Sequence, residues 1–247
     1  MNDFTSRGHL TQLSKWTKLS VLLGSAFLLA ACGGDDNDDD NDSMKTYSFE
    51  ISLTNLAHNQ PLSPIGVLVH DDEFSPWKIG EAASDALEAL AEGGDNSAFI
   101  AQGADTVYMS QSGSGLVLPG ANESISVTLS TDDGDSLNLS LATMLVNTND
   151  AFVGVNSLSL NDLAVGESTS SSLPTYDAGT EANSESAGTI PGPADGGEGT
   201  NSERDDVNFV AMHPGVVGRD DGLTTSVLDS THKFDNPTAK LVVRRTQ

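Results

Sequence analysis

Strict alternation of apolar and polar residues is the feature of this sequence that most restricts its fold. In residues 45–55, KTYSFEISLTN, an apolar residue occupies every second position from Tyr47 to Leu53. Successive side chains of a β-strand point to opposite faces, so this pattern predicts a strand with one face in a core and the other in solvent. Similar patterns predict strands at residues 65–70, 124–130, 136–146, 152–160, 207–213 and 239–245.

Two shorter stretches predict how these strands are connected. Residues 131–135, TDDGD, contain an Asp-Gly pair, which favours a tight hairpin turn. Residues 84–94, SDALEALAEGG, have a helical spacing of apolar positions, with Ser84 as the N-cap and Gly93 at the end. This is the only clear helical pattern, so we expect one short helix.

Many short strands separated by turn residues indicate an all-β fold, an antiparallel β-sandwich. We place this domain at residues 45–247 and expect long loops around the sandwich. The longest extends from Glu181 to Asp206 and is nearly free of large apolar residues. Loops of this length are either functional or mobile, and composition does not separate the two.

The first 31 residues have the pattern of a secretion signal. Arg7, Lys15 and Lys18 precede an apolar run at residues 19–31, which is short for a bilayer span. The sequence LAAC at residues 29–32 resembles a bacterial lipoprotein box, in which the cysteine becomes the lipidated N-terminus. Cys32 is the only cysteine in the chain. We predict a lipoprotein signal peptide and an exported protein with its lipid on Cys32, at a bacterial outer membrane or cell surface. The alternative is an ordinary signal peptide followed by an incidental cysteine.

Residues 32–44 are predicted to be a disordered acidic tether. They contain six aspartates and no large apolar side chain before Met44. An EF-hand loop starting at Asp38 would need glycine and glutamate where Ser43 and Phe49 stand. The whole chain carries a net charge of −25, which opposes nucleic-acid binding and favours cations.

The sequence lacks the common catalytic motifs, so we expect a protein that is not an enzyme. It has no complete Gly-x-Ser-x-Gly elbow, no paired histidines of a helical zinc protease and no glycine-rich phosphate loop with a lysine. The paired carboxylates of a glycosidase are defined by their separation in space, which sequence spacing does not give. Few aromatic side chains are present to build a sugar-stacking cleft.

Acidic residues gather around a glycine between residues 176 and 185, YDAGTEANSE. Asp177, Glu181 and Glu185 are spaced at four-residue intervals, as on one face of a helix. Gly179 weakens a helix, and prolines bracket the stretch. A turn whose oxygens converge on a cation explains these residue types better than a helix does.

The motifs at residues 144–160, MLVNTNDAFVGVNSLSL, and 174–193, PTYDAGTEANSESAGTIPGP, resemble the spondin N-terminal domain family, in particular its bacterial lipoprotein branch. Further similar stretches at residues 48–71, 83–99 and 234–245 extend the resemblance from about Thr46 to Arg245. The resemblance implies a C2-like antiparallel β-sandwich from extracellular adhesion proteins. It also implies one calcium ion, bound by three acidic side chains in loops at one end.

Carried onto this chain, the calcium ligands implied by the resemblance are Asp150, Asp177 and Glu181. Asn149 and Ala151 stand where the family has proline and tryptophan, and Glu181 stands in place of an aspartate. The disulfides of the animal domains are missing. The alternative is that the two aspartates only form turns, and that Glu181 and the nearby Glu185 are solvated.

We therefore predict a calcium-binding, surface-anchored lipoprotein that acts in adhesion or extracellular recognition. Its partner would be an extracellular protein or glycan, with no nucleic acid, and its membrane contact would be the lipid on Cys32. Residues 181–206 and 70–74 are candidate contact loops. Two alternatives are a calcium-dependent membrane-binding module, as in other C2-like domains, and a hydrolase using Asp150, Asp177 and His213.

Overall fold

The computed structural model describes residues 44–247. The predicted signal peptide, the lipidation at Cys32 and the predicted tether up to residue 43 lie outside the described residues, so these stay predictions. None of the helices within residues 44–247 is long and apolar enough to cross a bilayer.

The regular structure of the described residues is mostly β. The strands are β1 (Lys45–Asn55), β2 (Gly66–His70), β3 (Val107–Ser112), β4 (Asn122–Thr131), β5 (Asn138–Met144), β6 (Ala151–Ser159), β7 (Ser168–Leu173), β8 (Thr175–Asp177), β9 (Ala211–Met212) and β10 (Ala239–Arg245). The α-helices are α1 (Asp85–Gly93) and α2 (Ser97–Ile100), and single 3₁₀ turns lie at Arg219–Asp221 and Ser230–His232.

The strands form two antiparallel sheets, which confirms the predicted β-sandwich. One sheet has four strands in the order β4-β1-β10-β7, and the other has six in the order β3-β2-β5-β6-β8-β9. The main apolar core lies between them, with side chains such as Phe49 and Leu241 from the first sheet and Val67 and Leu141 from the second.

The four-stranded sheet shows why the alternation in β1 is so strict. Its inner side chains are buried and its outer face is lined by hydroxyl groups. Across β1 and β4, Ser48 and Thr128 are joined by a hydrogen bond at 2.9 Å, and Ser52 and Ser124 by one at 2.6 Å. Cross-strand hydroxyl pairs of this kind stabilise a solvated sheet face.

The prediction that β2 and β5 are half-buried is wrong, because both strands are buried on both faces. Their second face packs against a smaller apolar cluster under the helices, in which Leu68 of β2 meets Leu87, Leu90 and Phe99. The helices thus form a third layer over the middle of the six-stranded sheet.

Three further predictions about connections and elements need correction. The TDDGD turn does not close a hairpin, since β4 and β5 belong to different sheets and the turn crosses between them. Residues 44–247 contain two α-helices where one was expected; α1 ends at Gly93, as predicted, and Gly94 follows in the left-handed region with φ of 69°. Within residues 207–213 only β9 forms.

Candidate acidic metal site

The pairing of β6 with β8 brings the two predicted motifs together at one end of the six-stranded sheet. Asp177, the last residue of β8, pairs with Ala151, the first residue of β6. Asp150 directly precedes Ala151, and its carbonyl oxygen accepts a hydrogen bond from the Ala178 N–H at 3.3 Å. The two aspartate side chains are buried, with 0% and 5% of the residue surface exposed.

The Asp150 carboxylate is satisfied at only one of its two oxygens. Oδ2 accepts hydrogen bonds from the main-chain N–H groups of Thr180 at 2.8 Å and Glu181 at 3.2 Å. Oδ1 is buried and has no hydrogen-bond partner. A buried carboxylate oxygen without a partner costs free energy, which a proton or a cation at that oxygen would recover.

Asp177 holds the turn that the glycine was expected to form. Its Oδ1 accepts the Gly179 N–H at 2.8 Å, and its Oδ2 accepts the Asn183 amide at 2.6 Å. Gly179 has φ of 71°, in the left-handed region, and a Cβ there would meet the Phe209 main chain. The residues from Tyr176 to Glu185 contain no helix, which confirms the turn interpretation of this stretch.

Glu181 is buried like the aspartates, but its side chain contacts other groups. It is 4% exposed, so the alternative in which it is solvated is wrong. Its Oε1 accepts the Asn149 amide at 2.9 Å, and its Oε2 has no partner. Asn149, the residue in place of the family's proline, also accepts the Glu185 N–H at 3.1 Å. It therefore ties the two motifs together.

The electrostatics of these groups show how strongly burial opposes their charge. Burial and the nearby Asp177 charge raise the pKa of Asp150 to about 8. Burial also raises the pKa of Asp177, and it raises that of Glu181 to about 7, with like charges adding to the effect for Glu181. Without a counter-charge the end of the sheet holds carboxyl groups that resist ionisation.

Two acidic residues near the site were missed by sequence reasoning. Burial and the Asp177 charge raise the pKa of Asp206, and the Asp206 charge adds to the raised pKa of Asp150. Glu92, in the last turn of α1, is the largest like-charge contributor to the raised pKa of Glu181. Neither is adjacent in sequence to the motifs, and an acidic residue beside the apolar stripe of a helix is ordinarily solvated.

His213 supports Asp177 through one intervening side chain. Its Nδ1 accepts the Gly215 N–H at 2.9 Å, so Nε2 carries the proton and donates to Asn183 Oδ1 at 2.9 Å. Burial lowers the pKa of His213 to about 4, so the ring is neutral at physiological pH. Because Asn183 stands between them, His213 does not contact Asp177 as a hydrolytic base would.

Glu185 has a structural role that its spacing did not indicate. It is 5% exposed, and its carboxylate accepts hydrogen bonds from Val217 N–H at 2.7 Å, Gly218 N–H at 2.8 Å and Ser226 Oγ at 2.6 Å. The alternative in which Glu185 is solvated is therefore wrong. This side chain fastens the loop at residues 213–228 to the acidic turn.

The residues fit a calcium ion in chemistry, since calcium takes carboxylate oxygens first and completes its shell with carbonyls or water. The unpartnered Oδ1 of Asp150, next to Asp177, is the strongest sign of such a ligand. Within residues 44–247 no group of three or more His, Cys, Asp or Glu side chains is arranged so that it could hold a metal ion. The Asp177 charge adds to the raised pKa of Asp150, whereas among the like charges Glu92 contributes most to the raised pKa of Glu181. The set of three carboxylates stays a prediction.

Comparison with known proteins shows similarity to a protein family. A family model described as Spondin_N matches residues 54–191, which include the motifs around Asp150 and Asp177. No curated protein matches the chain.

Proposed function

This chain belongs to the spondin N-terminal domain family, an extracellular type of recognition and adhesion domain, and on that premise we propose that one calcium ion stabilises its recognition loops. The proposed ligands are Asp150, Asp177 and Glu181. The observation that carries the proposal is the buried, unpartnered Oδ1 of Asp150 beside a second buried carboxylate.

A calcium ion would supply positive charge where the fold concentrates negative charge. Asp150 precedes β6, while Asp177 ends β8 and Glu181 follows the Gly179 turn, so an ion held by the three would join both motifs. Main-chain hydrogen bonds from Thr180 and Glu181 already orient Asp150. Only acceptor groups and water would be needed to complete the shell.

The location of the domain follows from the predicted leader. We propose that residues 1–31 are removed, that Cys32 carries the lipid and that residues 33–44 act as a spacer at a bacterial outer membrane or cell surface. The partner would be an extracellular protein or glycan. Residues 181–206 stay the leading contact candidate, although Arg204 fixes part of this loop by pairing with Glu88 and donating to the Ala83 carbonyl oxygen at 2.9 Å.

Calcium removal is expected to lower the melting temperature of the unlipidated protein. With a dissociation constant of ~10⁻⁴ M, typical of extracellular modules, and ~10⁻² M calcium, binding contributes roughly 2.7 kcal/mol. For a domain of this size that corresponds to roughly 5 to 10 °C. Differential scanning fluorimetry with calcium and with EDTA measures the shift.

Two matched substitutions assign that shift to the site. Asp177→Asn should abolish the calcium response, whereas Asp162→Asn, the same change at an exposed aspartate, should leave it intact. Equal responses of the two variants, or no response of the wild type to EDTA, would refute the proposed site.

The second candidate, calcium-dependent membrane binding, is favoured by one surface feature. Ile79, Val207 and Phe209 are 62%, 53% and 41% exposed. They lie near the acidic turn, because the Asn208 N–H donates to the Gly179 carbonyl oxygen at 2.7 Å and the Gly80 N–H to that of Val210 at 2.8 Å. Exposed apolar side chains beside a calcium site are what a membrane-inserting loop requires.

We expect the unlipidated protein to stay in the supernatant with phosphatidylserine vesicles, with or without calcium, because its net charge repels an anionic surface. Sedimentation assays measure this. Calcium-dependent sedimentation that is lost in Ile79→Asp but kept in Val165→Asp, a change at another exposed valine, would establish the membrane function instead.

A further inference from the structure

Each sheet of the sandwich ends in a strand with one unpaired edge, β3 in the six-stranded sheet and β4 in the other. Within residues 44–247, β3 pairs only with β2, and β4 pairs only with β1. Neither strand contains proline, lysine or arginine, the residues that commonly block pairing at a sheet edge. Nothing in their own sequences therefore prevents these edges from pairing with another strand.

The register of β4 shows which of its main-chain groups face away from the sheet. In an antiparallel pair, alternate residues direct both N–H and C=O groups to the partner strand, and the others direct them away. The Asn55 N–H donates to the Ala121 carbonyl oxygen at 3.0 Å, so the odd-numbered residues of β4 bond to β1. The main-chain groups of Ser124 and Ser126 thus point away from the sheet, and both residues are exposed.

The two edges border one polar groove of about 510 Å³. The Gly113 N–H donates to the Ile65 carbonyl oxygen at 2.7 Å, so the neighbouring Ser112 directs its main-chain groups away from β2. None of the lining residues is aromatic, so the groove lacks a platform on which a sugar ring could stack. The lining residues are Gln111, Ser112, Gly113, Ser114, Asn122, Glu123, Ser124, Ile125 and Ser126.

Glu123 is the charged residue of this groove. Its Oε1 accepts the Ser114 N–H at 2.6 Å and the Ser114 hydroxyl at 2.7 Å, whereas its Oε2 is buried and has no hydrogen-bond partner. A Cβ at Gly113 would lie 2.7 Å from Oε2, so this oxygen is next to the end of β3. Glu123 forms no ion pair within residues 44–247. A donor from a bound partner would satisfy the free oxygen.

We propose that the groove binds an extended polypeptide segment of an extracellular partner, which adds a strand to the β4 edge and places a lysine or arginine against Glu123. Main-chain hydrogen bonds to Ser124 and Ser126 provide affinity, and Glu123 selects basic segments. A second copy of this chain fits less well, because a net charge of −25 opposes self-association at an acidic edge. The inference rests on the proposed function only in that the domain recognises an extracellular partner, since no groove residue is a proposed calcium ligand.

Amide hydrogen exchange of the unlipidated protein tests the inference directly. The probe is a short synthetic peptide that alternates threonine and valine and has a lysine at each end, and its counterpart has a glutamate at each end. The lysine peptide should slow exchange at the amides of Ser124 and Ser126, in EDTA as well as in calcium. It should leave Ser170 of β7, at the other edge of the same sheet, unchanged. The glutamate peptide should have no effect.

Three variants separate main-chain pairing from charge, with calorimetry as the readout. Ser126→Pro removes an outward N–H without breaking a hydrogen bond to β1, and it should abolish peptide binding. Ser170→Pro is the matched control and should bind like the wild type. Ser170 is exposed, and its N–H also faces outward because the Arg245 N–H donates to Glu167, which sets the odd-numbered residues of β7 against β10. Glu123→Gln should weaken binding by roughly tenfold, since a hydrogen bond to a charged group is lost.

The inference is overturned if the lysine peptide does not bind, if both peptides bind equally, if Ser126→Pro still binds or if Ser170→Pro does not. Slower exchange at Ser124 and Ser126 with maltohexaose in place of the peptide would assign the groove to a glycan instead. A wild-type dimer that Ser126→Pro converts to a monomer would assign the edge to a second copy. If circular dichroism shows that Ser126→Pro is unfolded, exchange in the wild type decides alone.

The use of EDTA separates this inference from the proposed calcium site. Failure of the calcium site would leave peptide binding unchanged, because binding is expected without calcium. Failure of peptide binding would leave the calcium-dependent melting temperature unchanged.

Discussion

Glu185→Ala is expected to lower the free energy of unfolding by about 3 to 5 kcal/mol, because three donors, two of them buried, lose their acceptor. These donors are the main-chain N–H groups of Val217 and Gly218 and the hydroxyl of Ser226. Glu185 itself has φ of 51°, an uncommon backbone conformation for a residue other than glycine. Urea unfolding followed by tryptophan fluorescence measures the loss.

Glu185→Gln and Glu167→Ala separate this effect from general sensitivity to substitution. Glutamine keeps one acceptor oxygen and should recover part of the stability. Glu167 is an exposed glutamate at the turn before β7, and its truncation should cost less than about 1 kcal/mol. A loss below about 1 kcal/mol for Glu185→Ala would show that the three hydrogen bonds do not fasten the loop at residues 213–228.

This role changes how the calcium experiment is read. If Glu185 were solvated, Glu185→Ala would leave most of the calcium response and would be a convenient control. The structure places Glu185 under the loop that carries His213, and His213 orients Asn183 against Asp177. A weakened response of Glu185→Ala would therefore report on the support of the site, and Asp162→Asn is the better control.

Periodicity predicted the strands that have one buried face and one solvent-exposed face. The bounds of β1 and β10 agree with their alternating patterns because a one-residue shift would move every apolar side chain into solvent. The pattern failed where this condition does not hold. The sequence of β7, STSSSL, has almost no apolar side chain, and it forms an edge strand by pairing with β10. Nothing local to that sequence indicates the pairing.

The resemblance located Asp150 and Asp177, which the structure places together, but not the groups around them. Motifs report residues that are close in sequence, whereas Glu92 comes from helix α1 and His213 from the segment after β9. Glu92 was missed for a specific reason. Its helix was read for its apolar stripe, and an acidic residue beside that stripe is ordinarily solvated.

Calcium-free protein is expected to lose stability, on the order of 3 to 5 kcal/mol, as pH rises from about 5.5 to 8.5. The pKa of Asp150 is raised to about 8 by burial and by Asp177, and that of Glu181 to about 7 by burial and like charges. A carboxyl with a raised pKa keeps its proton in the folded state at pH values where the unfolded chain has lost it. Its contribution to the free energy of unfolding is therefore complete below the unfolded pKa and is lost as pH rises through the folded pKa. The pKa of His213 is lowered to about 4, so this residue makes stability rise with pH, but only below its ordinary pKa.

Calcium should reverse this dependence, because the ion binds the ionised carboxylates and competes with their protons. The increase in melting temperature caused by calcium should therefore be larger at about pH 8.5 than at about pH 5.5. Asp150→Asn keeps the shape of the side chain without its charge, so in EDTA at high pH it should be more stable than the wild type, and it should gain little from calcium. Thermal melts across this pH range, in EDTA and in calcium, measure how the melting temperature depends on pH in each condition. If the wild type in EDTA were equally stable at the two pH values, Asp150 would be ionised without cost, and the strongest physical reason to place a cation beside it would be gone.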